Sequence, residues 1–366
     1  MNPWPESEFP QVSARRRVVG TGLIALDVLL NEDKSTVSSA LGGSAGNVLA
    51  ILAHLGWSSV PVAKVGMDTA AEHIRREFEE LQADVRFLVG EDHSCTPIVF
   101  QLPGDGDKTH QFSFACPHCG RKRHFSYSSD DRLGAPLLSE IQNSDVYFFD
   151  RVTSLSLKLA EDYRSRGALV VFEPSSMGND LEGFERAIQA AHVIKYADDR
   201  ITDLQAFDLS NVTIEVQTLG KEGLKFRSPS SDNRWMSLSP YAAPYVADTS
   251  GAGDWCTAGM LYSLFENAHG RSVDELLNAD LGDALRFGQA LATLNCRYTG
   301  ARGMAQRQPA YQIVEMASAL QSSSLTYAIQ EEHLARGWPS VEKHRFSTEE
   351  RVHSTLNRLC CDGLAL

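Results

Sequence analysis

The 366-residue chain contains no apolar stretch of membrane-spanning length, so a helical integral membrane protein is not expected. Its first residues, Met1-Asn2-Pro3-Trp4-Pro5, lack the basic and apolar regions of a secretory leader. Cysteine is sparse: seven residues, odd in number and scattered, do not read as a disulfide framework, and a reducing, cytoplasmic setting is expected. Positive charge is also short. Against 47 Asp and Glu stand 34 Lys and Arg, a formal net charge of -13 that disfavours nucleic-acid backbones and anionic membranes as partners. The basic runs at 15–17 and 121–123 are too brief to change this. No G-x-x-x-x-G-K-[ST] phosphate loop and no H-R-D or D-F-G set occurs, which excludes a P-loop enzyme and a protein kinase. No internal repeat is visible.

What is present is an alternating pattern. Apolar runs at 18–24, 60–65, 146–149, 169–172, 193–196 and 212–219 read as strands, and helical stretches such as 48–55 and 70–81 fall between them. This β-α rhythm predicts an α/β fold, three layers with a mostly parallel sheet covered on both faces. Residues 98–102 and 110–114, flanking the turn at 104–107, predict a β-hairpin. From Asp254 onward the chain reads as chiefly helical. The serine run at 322–324 suggests a boundary between a main domain at 15–325 and a C-terminal extension at 326–366, helical around 348–359.

The densest chemistry lies in Asp248-Thr249-Ser250-Gly251-Ala252-Gly253-Asp254. A carboxylate follows a Gly-Ala-Gly turn at the head of an apolar helix, beside backbone N–H groups that favour anions. A base next to an anion hole suits phosphoryl transfer to a hydroxyl, although Asp254 could also be a plain helix cap. The segment closely resembles the D-T-x-G-A-G-D signature of the ribokinase-like (PfkB) carbohydrate kinases. Further pieces follow in that family's order: Gly42-Gly43 with Asn47, Gly66-Met67-Asp68, and Thr218-Leu219-Gly220-Lys221-Glu222-Gly223. The resemblance spans about 18–303.

The resemblance implies a ribokinase-like sandwich with a small β lid, its elements around 28–40 and 95–127, and transfer of the γ-phosphate of ATP to a sugar-like hydroxyl. It makes Asp254 the general base and Gly251, Ala252 and Gly253 the phosphoryl-binding turn. It places Asp27, which is expected at the end of the first strand, with Gly42, Gly43, Asn47 and Asp68 around the acceptor. Thr218, Gly220 and Asn295 fall beside the nucleotide. Each has a plainer alternative: a turn cap for Asp27, a tight turn for Gly42 and Gly43, a helix cap for Asp68, a strand exit for Thr218 and Gly220, and a polar helix face for Asn295. Magnesium is implied, with Asp199 acting through water as the stand-in for the acid of the family's N-x-x-E motif, whose asparagine is missing from Lys195-Tyr196-Ala197-Asp198-Asp199-Arg200, and with Glu173, in Glu173-Pro174-Ser175-Ser176, matching the family's acidic residue after the middle strand. A monovalent cation such as K+ near the anion-hole loop and a homodimer are compatible with the resemblance.

Cys116-Pro117-His118-Cys119-Gly120 is a knuckle that could offer two thiolates to zinc, stiffening the lid, or form simple turn chemistry or a thiol switch. The leading expectation is an ATP-dependent sugar kinase. A nucleoside kinase and a catalytically silent sugar- or nucleotide-binding regulator are the alternatives.

Overall fold

The computed structural model describes residues 15–322, apart from 33, 35, 105–109, 126, 128–130, 267–271 and 279–280. The expected C-terminal extension and most of the hairpin turn lie outside the described residues.

Strand β1 (Arg17–Thr21) opens the chain, followed by β2 (Ala25–Leu30), β3 (Thr36–Gly42), α1 (Ser44–His54), β4 (Ser58–Gly66), α2 (Thr69–Glu80) and β5 (Leu88–Glu91). The expected hairpin is β6 (Ile98–Pro103) with β7 (His110–Ser113), paired antiparallel. Alternation returns through α3 (Asp131–Glu140), β8 (Val146–Phe149), α4 (Ser154–Ser165), β9 (Leu169–Phe172), α5 (Leu181–Ala190), β10 (Val193–Ala197) and β11 (Ile214–Thr218). The antiparallel strands β12 (Leu224–Arg227) and β13 (Met236–Leu238) precede α6 (Ala252–Glu266), α7 (Val273–Leu277), α8 (Leu281–Asn295) and α9 (Ala310–Ser322).

The main sheet has nine strands in the order β13-β12-β11-β10-β9-β8-β1-β4-β5, parallel from β11 to β5. Strands β8 and β9 are buried along their whole length, as covering helices on both faces require. One apolar cluster includes α1, α6 and α8 with Val193 and Val216; the other joins Tyr147, Phe149, Phe172 and Ile194 to α4 and α5. Local chemistry fixes helix starts: Thr153 and Ser156 form a capping box on α4, and Asp180 caps α5 by accepting from the Gly183 N–H.

A second sheet, ordered β3-β2-β6-β7, stands apart from the first. It corrects one expectation. The apolar run at 18–24 is not a single strand: β1 stops at Thr21, the chain turns at Gly22, and β2 begins a different sheet. Asp150, at the end of β8, stabilises this turn by accepting from the Leu23 N–H at 2.9 Å. Asp27 therefore lies in the middle of β2, opposite Ala40 of β3, rather than at a strand end. Hydrophobicity is continuous through the turn, so it carried no mark of the change of sheet.

Candidate active site

Asp254 lies in the first turn of α6, which begins two residues earlier, at Ala252. Asn47, in the first turns of α1, donates from Nδ2 to Asp254 Oδ2 at 2.8 Å. Both helices start at the same end of the sheet, so residues far apart in sequence meet. Burial pushes the Asp254 carboxyl well above the usual carboxylate range and the nearby Glu173 charge adds to this, while the Asn47 hydrogen bond and Lys195 oppose it.

The turn before α6 requires glycine at its corner. Gly251 has φ 73°, and a Cβ there would stand 2.3 Å from the Ala301 carbonyl oxygen, so a side chain is excluded on both grounds. The Ala252 N–H bonds the Thr249 carbonyl at 3.2 Å. The N–H groups of Gly253 and Asp254 have no backbone acceptor among the described residues. These two donors at a helix N-terminus fit a phosphoryl group.

Asp27 and Gly42–Gly43 form the opposite wall. A Cβ at Gly42 would lie 2.0 Å from the Asp27 carboxylate, so only glycine permits this approach. Asp27 Oδ1 is buried and accepts no hydrogen bond among the described residues, which leaves it able to receive a ligand hydroxyl. Burial raises the Asp27 carboxyl to about 7, against the pull of the Arg302 charge and the Gly43 N–H. Arg302, on the loop between α8 and α9, donates to the Leu41 carbonyl at 2.6 Å and to Glu77 at 2.7 Å, fastening this wall to the body of the protein.

The residues expected beside the nucleotide assemble at the ends of β10 and β11. Ala197 pairs with Thr218, and the Asp198 N–H donates to the Thr218 carbonyl at 3.0 Å, so the exposed Asp199 turn sits beside Thr218 and Gly220. Asn295 departs from its expected place. It is fully buried, with Nδ2 donating to the Ser250 and Ala301 carbonyls and Oδ1 accepting from the Met304 N–H, so it braces the anion turn from within. Asp68 likewise is taken up by structure: it caps α2 through the Ala71 N–H and accepts from the Thr96 N–H and the Arg123 guanidinium.

Glu173, expected near magnesium, is engaged by partners within the protein. One of its oxygens is held by the Lys195 ammonium and the other by the Thr257 hydroxyl at 2.5 Å. Asp199 retains an exposed carboxylate and fits the role of holding a phosphate-bound metal through water. Asp248 accepts from His110 at 3.0 Å, Gln101 at 2.7 Å, Gly300 at 2.9 Å, and both the N–H and hydroxyl of Ser250. Five donors crowd the two oxygens, which offer about four lone-pair sites, so Asp248 is fully engaged by the protein itself. Burial works against it, yet those hydrogen bonds hold the Asp248 carboxyl well below its ordinary range. At the knuckle Cys116 is buried whereas Cys119 is exposed, and no group of three or more His, Cys, Asp or Glu among the described residues is arranged for a metal. The zinc expectation is thus unsupported by the geometry.

Sequence reading assigned no role to Lys195, Asp150, Arg302 or the His110–Asp248 pair. A charged residue inside the apolar strand Val-Ile-Lys-Tyr-Ala was the available signal for Lys195. An aspartate directly ending Val-Tyr-Phe-Phe was the signal for Asp150.

Comparison with known proteins completes the picture. A model of the pfkB family of carbohydrate kinases matches residues 15–162 and 178–308. A fructokinase of Salmonella typhimurium is 25% identical over 277 residues, covering 70% of this chain and 86% of that protein. Ribokinase from Giardia lamblia superposes with a TM-score of 0.67 at 16% identity, over 83% of this chain and 99% of that one. Fructokinase with bound ATP from Xylella fastidiosa gives 0.64 at 16% identity, over 87% and 99%. A nucleoside kinase of Burkholderia thailandensis in complex with inosine gives 0.62 at 17%, over 83% and 98%. At identities this low, these superpositions show the ribokinase-like fold and nothing beyond it.

Proposed function

Because the chain belongs to the pfkB family of carbohydrate kinases, we propose that it transfers the γ-phosphate of ATP to a hydroxyl of a small sugar or sugar derivative, with Asp254 as general base. The observation that carries this reading is Asp254, hydrogen-bonded to Asn47 and standing beside the uncommitted N–H groups of the Gly251 turn. Asp27, aided by Gly42 and Gly43, receives the acceptor hydroxyls. Asp254 takes the proton from the attacking hydroxyl as the new O–P bond forms and the bond to the departing ADP breaks. Gly253 and Asp254 N–H groups stabilise the charge on the phosphoryl oxygens in transit. Thr218 and Gly220 border the nucleotide. Magnesium would neutralise phosphate charge, with Asp199 holding it through water. The four-stranded sheet serves as the lid, excluding water from the acceptor side.

The test is an ADP-release screen over sugars, sugar acids, polyols and nucleosides, run beside the Asp254→Asn variant. Acceptor-dependent ADP release that vanishes in Asp254→Asn supports the reading. Undiminished turnover in that variant removes Asp254 from the mechanism, and a response to nucleosides alone replaces the sugar acceptor.

A further inference from the structure

Lysine is an unexpected occupant of the central strand β10. Its neighbours in the strand are apolar, and the residue is 2% exposed. An ammonium removed from water is strongly unfavourable unless charged and hydrogen-bonded partners surround it. Lys195 has both kinds. Its Nζ donates to the Glu173 carboxylate, which follows β9, and to the Gly253 carbonyl at 3.2 Å, within the anion-binding turn. Glu173 in turn accepts from Thr257, one helical turn beyond Gly253. The ammonium thus reaches the head of α6 directly and also through Glu173.

We propose that Lys195 is a positioning residue for phosphoryl transfer, a fixed cation beneath the anion-binding turn that holds the Gly253 carbonyl and balances the carboxylates gathered around the base. The inference rests on the reading of Asp254 as the base. A Gly253 carbonyl anchored from below keeps its peptide plane fixed, and with it the direction of the Asp254 N–H that follows. The same charge faces a crowded acidic site. Glu173 and Asp150 raise the Asp254 carboxyl, Lys195 lowers it, and Asn47 assists from α1. Cys256, the other titratable group beside Lys195, is itself pushed up to about 11 by burial and stays a neutral thiol. Arg151 is the second cation here and is paired with Asp150 at 2.9 Å, whereas Lys195 is the one held against Glu173 and the Gly253 carbonyl, so Lys195 favours the ionised form of Asp254 where the surrounding acids favour the protonated one. A lysine serving only to satisfy Glu173 would need neither the Gly253 contact nor this position.

The experiment measures kcat and kcat/KM against pH for Lys195→Met, Lys195→Arg, Glu173→Gln and the double variant Lys195→Met/Glu173→Gln, beside Asp254→Asn. Lys195→Met is expected to move the acid limb of kcat upward by about one pH unit or more, the effect of losing an opposite charge at this range. It should lower kcat at neutral pH by at least tenfold, with acceptor KM little changed. Lys195→Arg should restore part of the lost rate. Glu173→Gln should move the limb in the opposite direction, because a like charge is removed, and the double variant should fall between. If Lys195→Met does not fold, Glu173→Gln carries the same test with its sign reversed. A limb that stays in place in both single variants overturns the proposal. Asp254→Asn separates the two levels of argument: if it remains active, the reading of the base has failed. If it is inactive while the limb stays fixed in the other variants, only the role of Lys195 has failed.

Discussion

Asn47 and Asp254, 207 positions apart, share a hydrogen bond of 2.8 Å between two helix N-termini. Neither partner is at a strand end. Each is held by a helix whose start is set by a glycine, Gly43 before α1 and Gly251 before α6. The pairing ties the segment that contains Gly42 to the Gly251 turn, and it gives the Asp254 carboxylate an amide donor that favours its charged form.

That donor has a measurable consequence for pH dependence. Asp254 is raised by burial and by Glu173, so the rate should rise with pH through a limb above the ordinary carboxylate range. Asn47→Ala removes an opposing influence and should shift the limb further upward, as read from kcat against pH. Asp254→Asn should abolish this limb and lower kcat about 100-fold to 10,000-fold at pH values above it, the deficit shrinking below the limb where the parent is protonated, with ATP affinity largely retained.

Gly251 and Gly253 should respond differently to alanine. At Gly251 the positive φ and the 2.3 Å approach to Ala301 require the backbone to move, so Gly251→Ala should lose activity and about 1–3 kcal/mol or more of stability. A Cβ at Gly253 meets its nearest atoms, in Glu173 and Lys195, at 3.7 Å, so Gly253→Ala should melt near the parent temperature. Thermal melts of the two variants check the contrast.

Asp27 should tie stability to pH and, on the proposed reading, to acceptor affinity. Its folded carboxyl titrates at about 7 against an ordinary 3.8, so the folded state binds the extra proton between these values. Stability from this group is therefore fully present below about pH 4 and declines as pH rises through 7. Asp27→Asn should melt above the parent at pH 8, lose that advantage as pH falls toward 4, and raise the acceptor KM. Melting curves at the two pH values, with acceptor titrations, test both signs.

Asn295 provides the control for the nucleotide side. All its polar groups serve backbone partners at the anion turn and the loop beyond α8. Asn295→Ala should cost about 1–3 kcal/mol by leaving those groups unpaired, while the folded fraction keeps its KM for ATP. A rise in KM without loss of stability would return Asn295 to the nucleotide.

Much of the architecture was legible because strand burial leaves continuous apolar runs, as in Val146 to Phe149, and because turn residues such as Gly251 punctuate them. The break between β1 and β2 was hidden because Gly22 sits between equally apolar segments of two different sheets. The Asp254 turn and the Asn47 region could be found from local motifs. The cap that Asp68 makes was among the readings of the sequence, but its Arg123 partner was not, and the duties of Glu173 and Asn295 could not be found, since they are decided by groups outside the local segment: Lys195 and Thr257 for Glu173, Ser250 for Asn295. A polar residue's type names its capacity for bonding, while its partner is a property of topology.

The tie between Arg302 and the Leu41 carbonyl spans 261 positions, and the Asn47–Asp254 bond lies inside that span. During synthesis the early residues leave the ribosome long before their partners exist. In an amino-terminal fragment the Leu41 carbonyl lacks Arg302 and the Asn47 amide lacks Asp254. Catalytic competence therefore arrives as a late event in the life of the nascent chain, and a chain interrupted before the loop that carries Arg302 is expected to be inert.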